Sequence, residues 1–471
     1  MKVKESSYIK NNKPLFKKLV DELLKKYEYA SVFVNDSIGK NYGVSKTGTT
    51  VAEDDLYSTR GYVVKVYDGG CYAEYSGNRI SEEEIDRVVR LVSEQLVNLG
   101  KKAEKSQYKI PVDEAVSFSK STECEIDPEE FGDEAIVKKL NEAHKKGMAF
   151  DERVLNCNVR IAFQRYSKLF LSRNKDLEQN VMWSSCAASV NTKRGSEVKT
   201  SYYSGSILGG MEILDTIDEM VEKAAKVGIE LLDSEPIKPG EYECVCTPEV
   251  TGMIVHEAFG HGVEMDMFVK DRALAQKFVG EYVASPLVTM HDGNAVDQTA
   301  TYFFDDEGTL SHDTVIIDKG VLVAGISDLQ SAMALGTEPT GNGRRQSYER
   351  KAYTRMTNTY FEPGTDKVED MIASVKDGLL LEMPFSGMED PKNWGIQCMV
   401  NFAREIKDGK LTGKIFSPIV LTGYVPDLLK SISMMSDTKE LGGAGFCGKG
   451  YKEWVKVSDG GPYIKAKIRL G

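Results

Sequence analysis

Histidine is scarce in this chain, with five among 471 residues. Few imidazoles leave few ways to build a histidine site, so two that fall close together carry information. Long apolar runs are also missing. No stretch approaches the roughly 18 residues that a membrane-spanning helix needs. The opening "MKVKESSYIKNNKPLF" has no apolar core behind its charges, as a signal peptide would. The expectation is a soluble cytoplasmic protein without a membrane partner. Excess positive charge is absent too. With 72 acidic against 60 basic residues, the net charge is −12, which disfavours a phosphate-backbone binder, so no nucleic-acid partner is expected. The eight cysteines show no repeated spacing, which argues for reduced thiols over a disulfide framework.

What is present is an ordinary globular composition, 41% hydrophobic and 28% charged, in a chain too long for a single core. "PLFKKLVDELLKKY" (14–27) carries apolar residues at helical spacing, with Pro14 placed for a first turn. "RGYVVKVYDGGCYAEYSG" (60–77) alternates and breaks at Asp68-Gly69-Gly70, a hairpin signal. "SEEEIDRVVRLVSEQLVNLG" (81–100) opens on a capping box, Ser81 with Glu84. Residues 130–147 read as another helix, 156–209 as a meander of strands, and 215–234 as helix again. "EPIKPGEY" (235–242) then places two prolines and a glycine between periodic segments. A domain boundary is expected there, giving regions 1–236 and 237–471. Beyond it, 240–247 reads as a strand and 248–262 as a helix, with Thr247 as its cap and Pro248 at its first position. A hairpin around Lys319-Gly320 and a last strand, "YIKAKIRL", follow.

The predicted helix contains "IVHEAFGHGVE" (254–264), with His256 and His261 five positions apart and Glu257 after the first. Composition alone produces such a pair rarely, on the order of one time in a few hundred. The spacing is unusual for a metal helix. Each residue turns about 100°, so positions five apart lie about 140° around the axis, and only a loosened helix lets both imidazoles reach one ion. A π-bulge absorbs one extra residue. Gly260 and Gly262 flank His261, and glycine tolerates unusual backbone angles.

A catalytic zinc takes three protein ligands and keeps one position open. For the third, the chain offers His291, His312, Glu264, Asp266 and Cys447. Cys447 stands out by context, in the glycine-rich "GGAGFCGKG" (442–450). That segment nearly spells a phosphate-binding loop, but Gly450 stands where Ser or Thr would hold magnesium. Cys244 and Cys246, on one side of a strand, read as core thiols.

"HEAFGHGVEMD" (256–266) and "GFCGKG" (445–450), with "FDDEGT" (304–309), "GNGRRQSYERKAYTRMTNTYFEPG" (341–364) and "KSISMMSD" (430–437) between them, resemble the TldD branch of the TldD/PmbA metallopeptidases. The N-terminal half is similar more loosely, through "GYVVKVYDGGCYAEYSGN" and "SYYSGSILGG". The resemblance implies an α+β chain: a mixed α/β N-terminal domain and a largely antiparallel β C-terminal domain carrying the HExxxH helix. It implies Zn²⁺ held by His256, His261 and Cys447, with Glu257 as general base in hydrolysis of unfolded or short peptides. It also implies a dimer, either of two copies or with an inactive relative. The rival is a non-catalytic, metal-containing modulator subunit of the kind once linked to DNA gyrase. Asn342, Arg344 and Arg345 are candidates for holding peptide carbonyls or a carboxylate. An open sheet edge near the helix would suit an extended peptide.

Overall fold

Alternation along one long strand shows how the first half of the protein is built. In the computed structural model, which describes residues 1–53, 56–68, 70–100, 109–450 and 452–471, strand β1 runs from Tyr29 to Ser45. Its Val32, Val34, Tyr42 and Val44 are buried under helices, while Phe33 faces the other way. Period-two alternation therefore buries both faces of the strand. Around β1 lie β2 (Gly48–Ala52), β3 (Thr59–Asp68), β4 (Cys71–Gly77), β5 (Val116–Ser121), β6 (Val154–Leu171), β7 (Lys175–Arg194) and β8 (Glu197–Ile207). The sheet order is β4-β3-β1-β6-β7-β5, with β2 added on β1 and β8 on β7. Only the β5–β7 pairing is parallel.

Helices α1 (Ser7–Leu24) and α2 (Glu82–Gly100) cover one end of this sheet. The one-turn α3 (Pro128–Phe131), then α4 (Asp133–Met148) and α5 (Ile217–Glu230), lie at the other end, where α4 and α5 cover β6 and β7. One half of the capping box of α2 forms, the Glu84 amide donating to Ser81 Oγ at 3.2 Å, while the Glu84 carboxylate accepts from Tyr75 and Arg87. The β3–β4 hairpin and the 156–209 strands stand where the alternation places them, although Gly69 of the predicted turn lies outside the described residues. One expectation fails. Helix α1 starts seven residues before Pro14, because Ser6 caps it through the Ile9 amide at 3.0 Å. Pro14 sits inside the helix, where it forgoes one backbone bond. The stripe of Ile9, Phe16, Leu19, Val20 and Leu23, all buried, holds the helix regardless.

The second half builds its own sheet from β9 (Gly240–Cys246), β10 (Met290–Gly293), β11 (Asp313–Asp318), β12 (Val321–Leu322), β15 (Asn358–Phe361), β16 (Asp377–Asp390), β17 (Gly395–Lys407), β18 (Lys410–Phe416), β19 (Ile419–Tyr424), β20 (Met434–Gly442) and β23 (Ser458–Leu470). Two small pairs, β13 (Gly343–Arg344) with β14 (Tyr353–Thr354) and β21 (Phe446–Cys447) with β22 (Val455–Lys456), stand apart. Strands β9, β16, β17, β19 and β23 pair in a ring, since β23 bonds both β19 and β9. Closure removes sheet edges there. The pairings are antiparallel except β9–β16 and β15–β23. The chain is thus α+β, with helices gathered in the N-terminal half and strands dominating the C-terminal one.

The halves meet at the "FDDEGT" loop. Phe304 packs among Phe33, Val63, Phe170 and Leu177. Gln179 donates to the Phe304 carbonyl at 2.9 Å and accepts from the Phe303 amide at 2.8 Å. Lys65 pairs with Glu307 at 2.8 Å, Lys168 with Asp306 at 2.6 Å, and Arg345 with Glu74 at 2.8 Å. Among the described residues no helix is long and apolar enough to cross a membrane.

Candidate metal centre

From Val250 to Gly260 every residue is buried except Glu257. A helix apolar on all sides belongs in a core, and this one packs against β16 and β23 of the ring. It starts as α6 (Pro248–Met253), with Pro248 at the first position as predicted. Thr247 occupies the capping position but makes no capping bond with its side chain, and its hydroxyl has no hydrogen-bond partner among the described residues. From Ile254 to Gly260 the helix widens into a π turn. The i→i+5 bonding of a π turn brings residues five apart onto one side. The rings of His256 and His261 accordingly stand 5.2 Å apart, at 87° to each other.

The flanking glycines work differently from the expectation. Gly260 has an ordinary helical φ of −60°, so its value lies in size, not in backbone freedom. A Cβ there would meet Met356 Sδ at 2.2 Å. Gly387, on β16, plays the same part opposite the acid. A Cβ at that position would lie 2.5 Å from Glu257 Cγ.

The β21–β22 hairpin brings in the third residue. Cys447 Sγ lies 3.2 Å from His256 Nε2 and 3.4 Å from His261 Nε2, and the three donor atoms all lie within 4.8 Å of one another. A tetrahedral ion at the usual Zn–N and Zn–S lengths sets nitrogen–sulfur separations of about 3.5 Å. The donor set and spacing therefore fit a zinc ion. Among the described residues the cluster has three members, which leaves a fourth position open.

Neighbouring charges prepare the trio. Burial pushes the Cys447 thiol up, but the two imidazoles outweigh burial and hold it well below its ordinary value. Burial likewise lowers His256, yet the Cys447 thiolate prevails and raises it to about 9. Arg355, fully buried, donates from Nη2 to Cys447 Sγ at 2.9 Å. Glu264 accepts on Oε2 from His261 Nδ1 at 3.4 Å and from Lys449 Nζ at 3.1 Å. Burial opposes ionisation of Glu264, but Lys449, His261 and Arg355 hold its carboxyl well below the usual range. A carboxylate on the far nitrogen of a ligand histidine fixes its tautomer and ring orientation. Lys449, the lysine of the near phosphate loop, is engaged by Glu264 and by Asp266 at 2.7 Å.

Glu257 points from the helix into a cleft of about 660 Å³. One of its carboxylate oxygens lies 3.8 Å from His261 Nε2. Two further acids flank it. Asp459, on β23, lines the cleft, and burial raises it to about 6. Glu389, on β16, is held well above its usual value by burial, and neither side-chain oxygen has a hydrogen-bond partner among the described residues. Strand β8 lines one wall with Tyr202, Ser204 and Ser206.

Of the residues singled out in the sequence, His256, Glu257, His261 and Cys447 come together. Asn342, Arg344 and Arg345 do not line this cleft. The Asn342 amide donates to Asp292 at 2.7 Å and to the Arg355 carbonyl at 3.1 Å. Arg344 donates to the Met356 carbonyl at 2.6 Å, and Arg345 holds Glu74 across the two halves. His291 pairs with Asp313 at 2.9 Å. Cys244 and Cys246 are core thiols. Arg355, Asp459 and Glu389 were not anticipated, because none stands at a fixed offset from the histidines.

Fold and site together define a metallopeptidase-like C-terminal half. Residues 239–469 match the model of the PmbA/TldA metallopeptidase C-terminal domain. A protein named metalloprotease from Methanothermobacter thermautotrophicus is 31% identical over 58% of this chain and 60% of its own length. A zinc metalloprotease TldD homolog from Saccharolobus solfataricus is 26% identical over 90% of this chain and 93% of its own. The crystal structure of TldE from Thermococcus kodakarensis shares the fold at 17% identity, with a TM-score of 0.76 over 97% of this chain and all of that one. The chain belongs to the TldD/PmbA family.

Proposed function

We propose that this chain is a zinc-dependent peptidase of the HExxxH type acting on unfolded or short peptides. The observation that carries the reading is the convergence of His256, His261 and Cys447 beside Glu257, the one residue between Val250 and Gly260 that is not buried. Held there, a zinc ion would polarise the scissile carbonyl and acidify water.

The chain's own residues do the rest. Glu257 takes the proton of the attacking water on its carboxylate and passes it to the departing amine. Glu264 orients His261 through Nδ1. Arg355 donates to the Cys447 sulfur, which draws charge from the thiolate and tempers its donation. Among the described residues β8 pairs as a strand only with β7. Its outer edge is engaged by Asn401 at the Thr200 carbonyl, by Met383 at the Tyr202 amide and by Gln298 at the Ser206 carbonyl. The stretch around Ser204 in the cleft wall is therefore what can bond an extended peptide through main-chain groups. Recognition of that kind is weakly selective for side chains.

The reading keeps the expectations of a cytoplasmic location and of a dimer, with a second copy or with an inactive relative. It also includes two folding units, 1–236 and 237–471, a division supported by the separate sheets. The non-catalytic modulator reading is the weaker one, since a structural zinc closes its shell with four protein ligands and has no use for a carboxylate at the open side. Metal analysis of the purified chain, alone and with a related partner subunit, joined to peptide cleavage with and without chelator, separates the two. Stoichiometric zinc with chelator-sensitive cleavage supports the peptidase. Tightly held zinc without cleavage in either assembly rejects it.

A further inference from the structure

Among the described residues Lys456 is a buried cation without a counter-charge. It lies on β22, directly across from Phe446, and its Nζ has no hydrogen-bond partner among the described residues. The ammonium lies 4.1 Å from the centre of the Trp183 ring and 4.9 Å from that of Phe446. Two aromatic faces offset part of the cost of burying the charge, but cation–π contacts amount to about 0.5–2 kcal/mol, well short of a full desolvation penalty. Burial accordingly pulls the amine down to about 7.

The lysine borders a cavity of about 70 Å³ between the two halves of the molecule. Among the described residues its wall carries four cations, Lys168, Arg344, Arg345 and Lys456, against one acid, Asp306. Lys168 is matched by Asp306 and Arg345 by Glu74. Arg344 donates one bond to the Met356 carbonyl and lies over the Tyr302 ring. Among the described residues no carboxylate pairs with Arg344 or Lys456. In a chain of net charge −12 this local excess of positive charge is out of keeping with the whole. The space equals about two water molecules' share of liquid, room for a small polar head.

We propose that this cavity binds a small oxyanion, a carboxylate or inorganic phosphate, through Lys456 and Arg344. A charged acceptor there supplies what both cations lack, and charge-assisted bonds of this kind are the strong ones. The cavity adjoins the metal cleft and shares Phe446 with it, but none of His256, His261 and Cys447 lines the cavity. Neither the ligand nor the measurement below involves metal or peptide cleavage, so the inference stands apart from the peptidase reading.

The test is isothermal titration of the full chain with sodium acetate and, separately, with sodium phosphate, at ionic strength fixed by sodium chloride. A saturable one-site isotherm with either anion is expected, and the tighter of the two identifies the head group. Lys456→Met and Arg344→Met should each weaken binding by about tenfold or more, while Lys456→Arg should retain it. Thermal unfolding gives the second readout: the midpoint should rise with the anion in the wild type and stay flat in Lys456→Met. Absence of a saturable isotherm with both anions overturns the proposal. So does undiminished binding in Lys456→Met or, if that variant does not fold, in Arg344→Met.

Discussion

Two buried charged clusters lie in this molecule, and they are wired in opposite ways. Between the halves, Lys65, Glu74, Glu307 and Arg345 form a closed set in which Lys65 reaches Glu307 at 2.8 Å and Glu74 at 3.4 Å, and Arg345 takes the other side of Glu74. At the metal centre three soft or borderline donors converge, and the cations around them serve Cys447 itself, through Arg355, and Glu264, through Arg355 and Lys449. The first cluster has a counter-charge for each charge, and it touches the cavity between the halves only through Arg345, which Glu74 already matches. The second points three donor atoms at one spot and opens onto a cleft. Burial alone does not distinguish structure from function here. The distinguishing mark is a convergence of donors that the protein's own groups do not complete.

That contrast breaks first at Cys447. Cys447→Ser replaces a thiolate by a hydroxyl that does not ionise, so zinc affinity should fall by two orders of magnitude or more, and peptide cleavage with it. Retention of stoichiometric metal would make the sulfur a bystander. Glu257→Gln should then keep the metal and lower turnover by about 10²–10⁴, the usual worth of a positioned general base. Undiminished turnover at equal metal content would remove Glu257 from the chemistry.

Much of this was legible in the chain, for reasons that differ by residue. The five-residue offset of His256 and His261 predicted a loosened helix, and a π turn spans Ile254–Gly260, because that geometry alone serves both imidazoles from one helix. Cys447 was marked by its glycines, of which Gly448 is the one Trp454 crowds: a Cβ there would meet that ring at 2.9 Å. Arg355, Asp459 and Glu389 left no trace. Their nearness to the helix arises from the ring closure through β23 and from the crossing of β16, and a pattern of local periodicity does not encode such pairings. Arg344 and Arg345 misled because adjacent arginines look alike in sequence, while one meets a backbone carbonyl and the other a carboxylate from the opposite half.

The closed cluster should answer in stability, not in metal content. Arg345→Met leaves Glu74 with Lys65 alone, and breaking a buried pair from one side typically costs about 3–5 kcal/mol. Denaturant unfolding should show a loss near the lower end, since Lys65 remains, with zinc stoichiometry unchanged. A variant that lost its metal without losing stability would mean that the two clusters are coupled and the contrast is false.

The acid limb of unfolding sharpens the same point with a smaller effect. Burial opposes ionisation of Glu74, but Arg345 and then Lys65 outweigh it and bring the carboxyl down to about 2. An unfolded glutamate titrates near 4.3. The folded value is the lower one, so the contribution is fully present above the unfolded value and is lost as pH falls toward about 2. A shift of this size corresponds to about 3 kcal/mol at neutral pH. Stability measured between pH 5 and 2 should therefore fall less steeply in Glu74→Gln than in the wild type, even though the variant starts from a lower value at pH 7. Identical slopes would show that the Glu74 carboxylate gains nothing from Arg345 and Lys65 beyond what solvent gives it, and the cluster would no longer count as electrostatically closed.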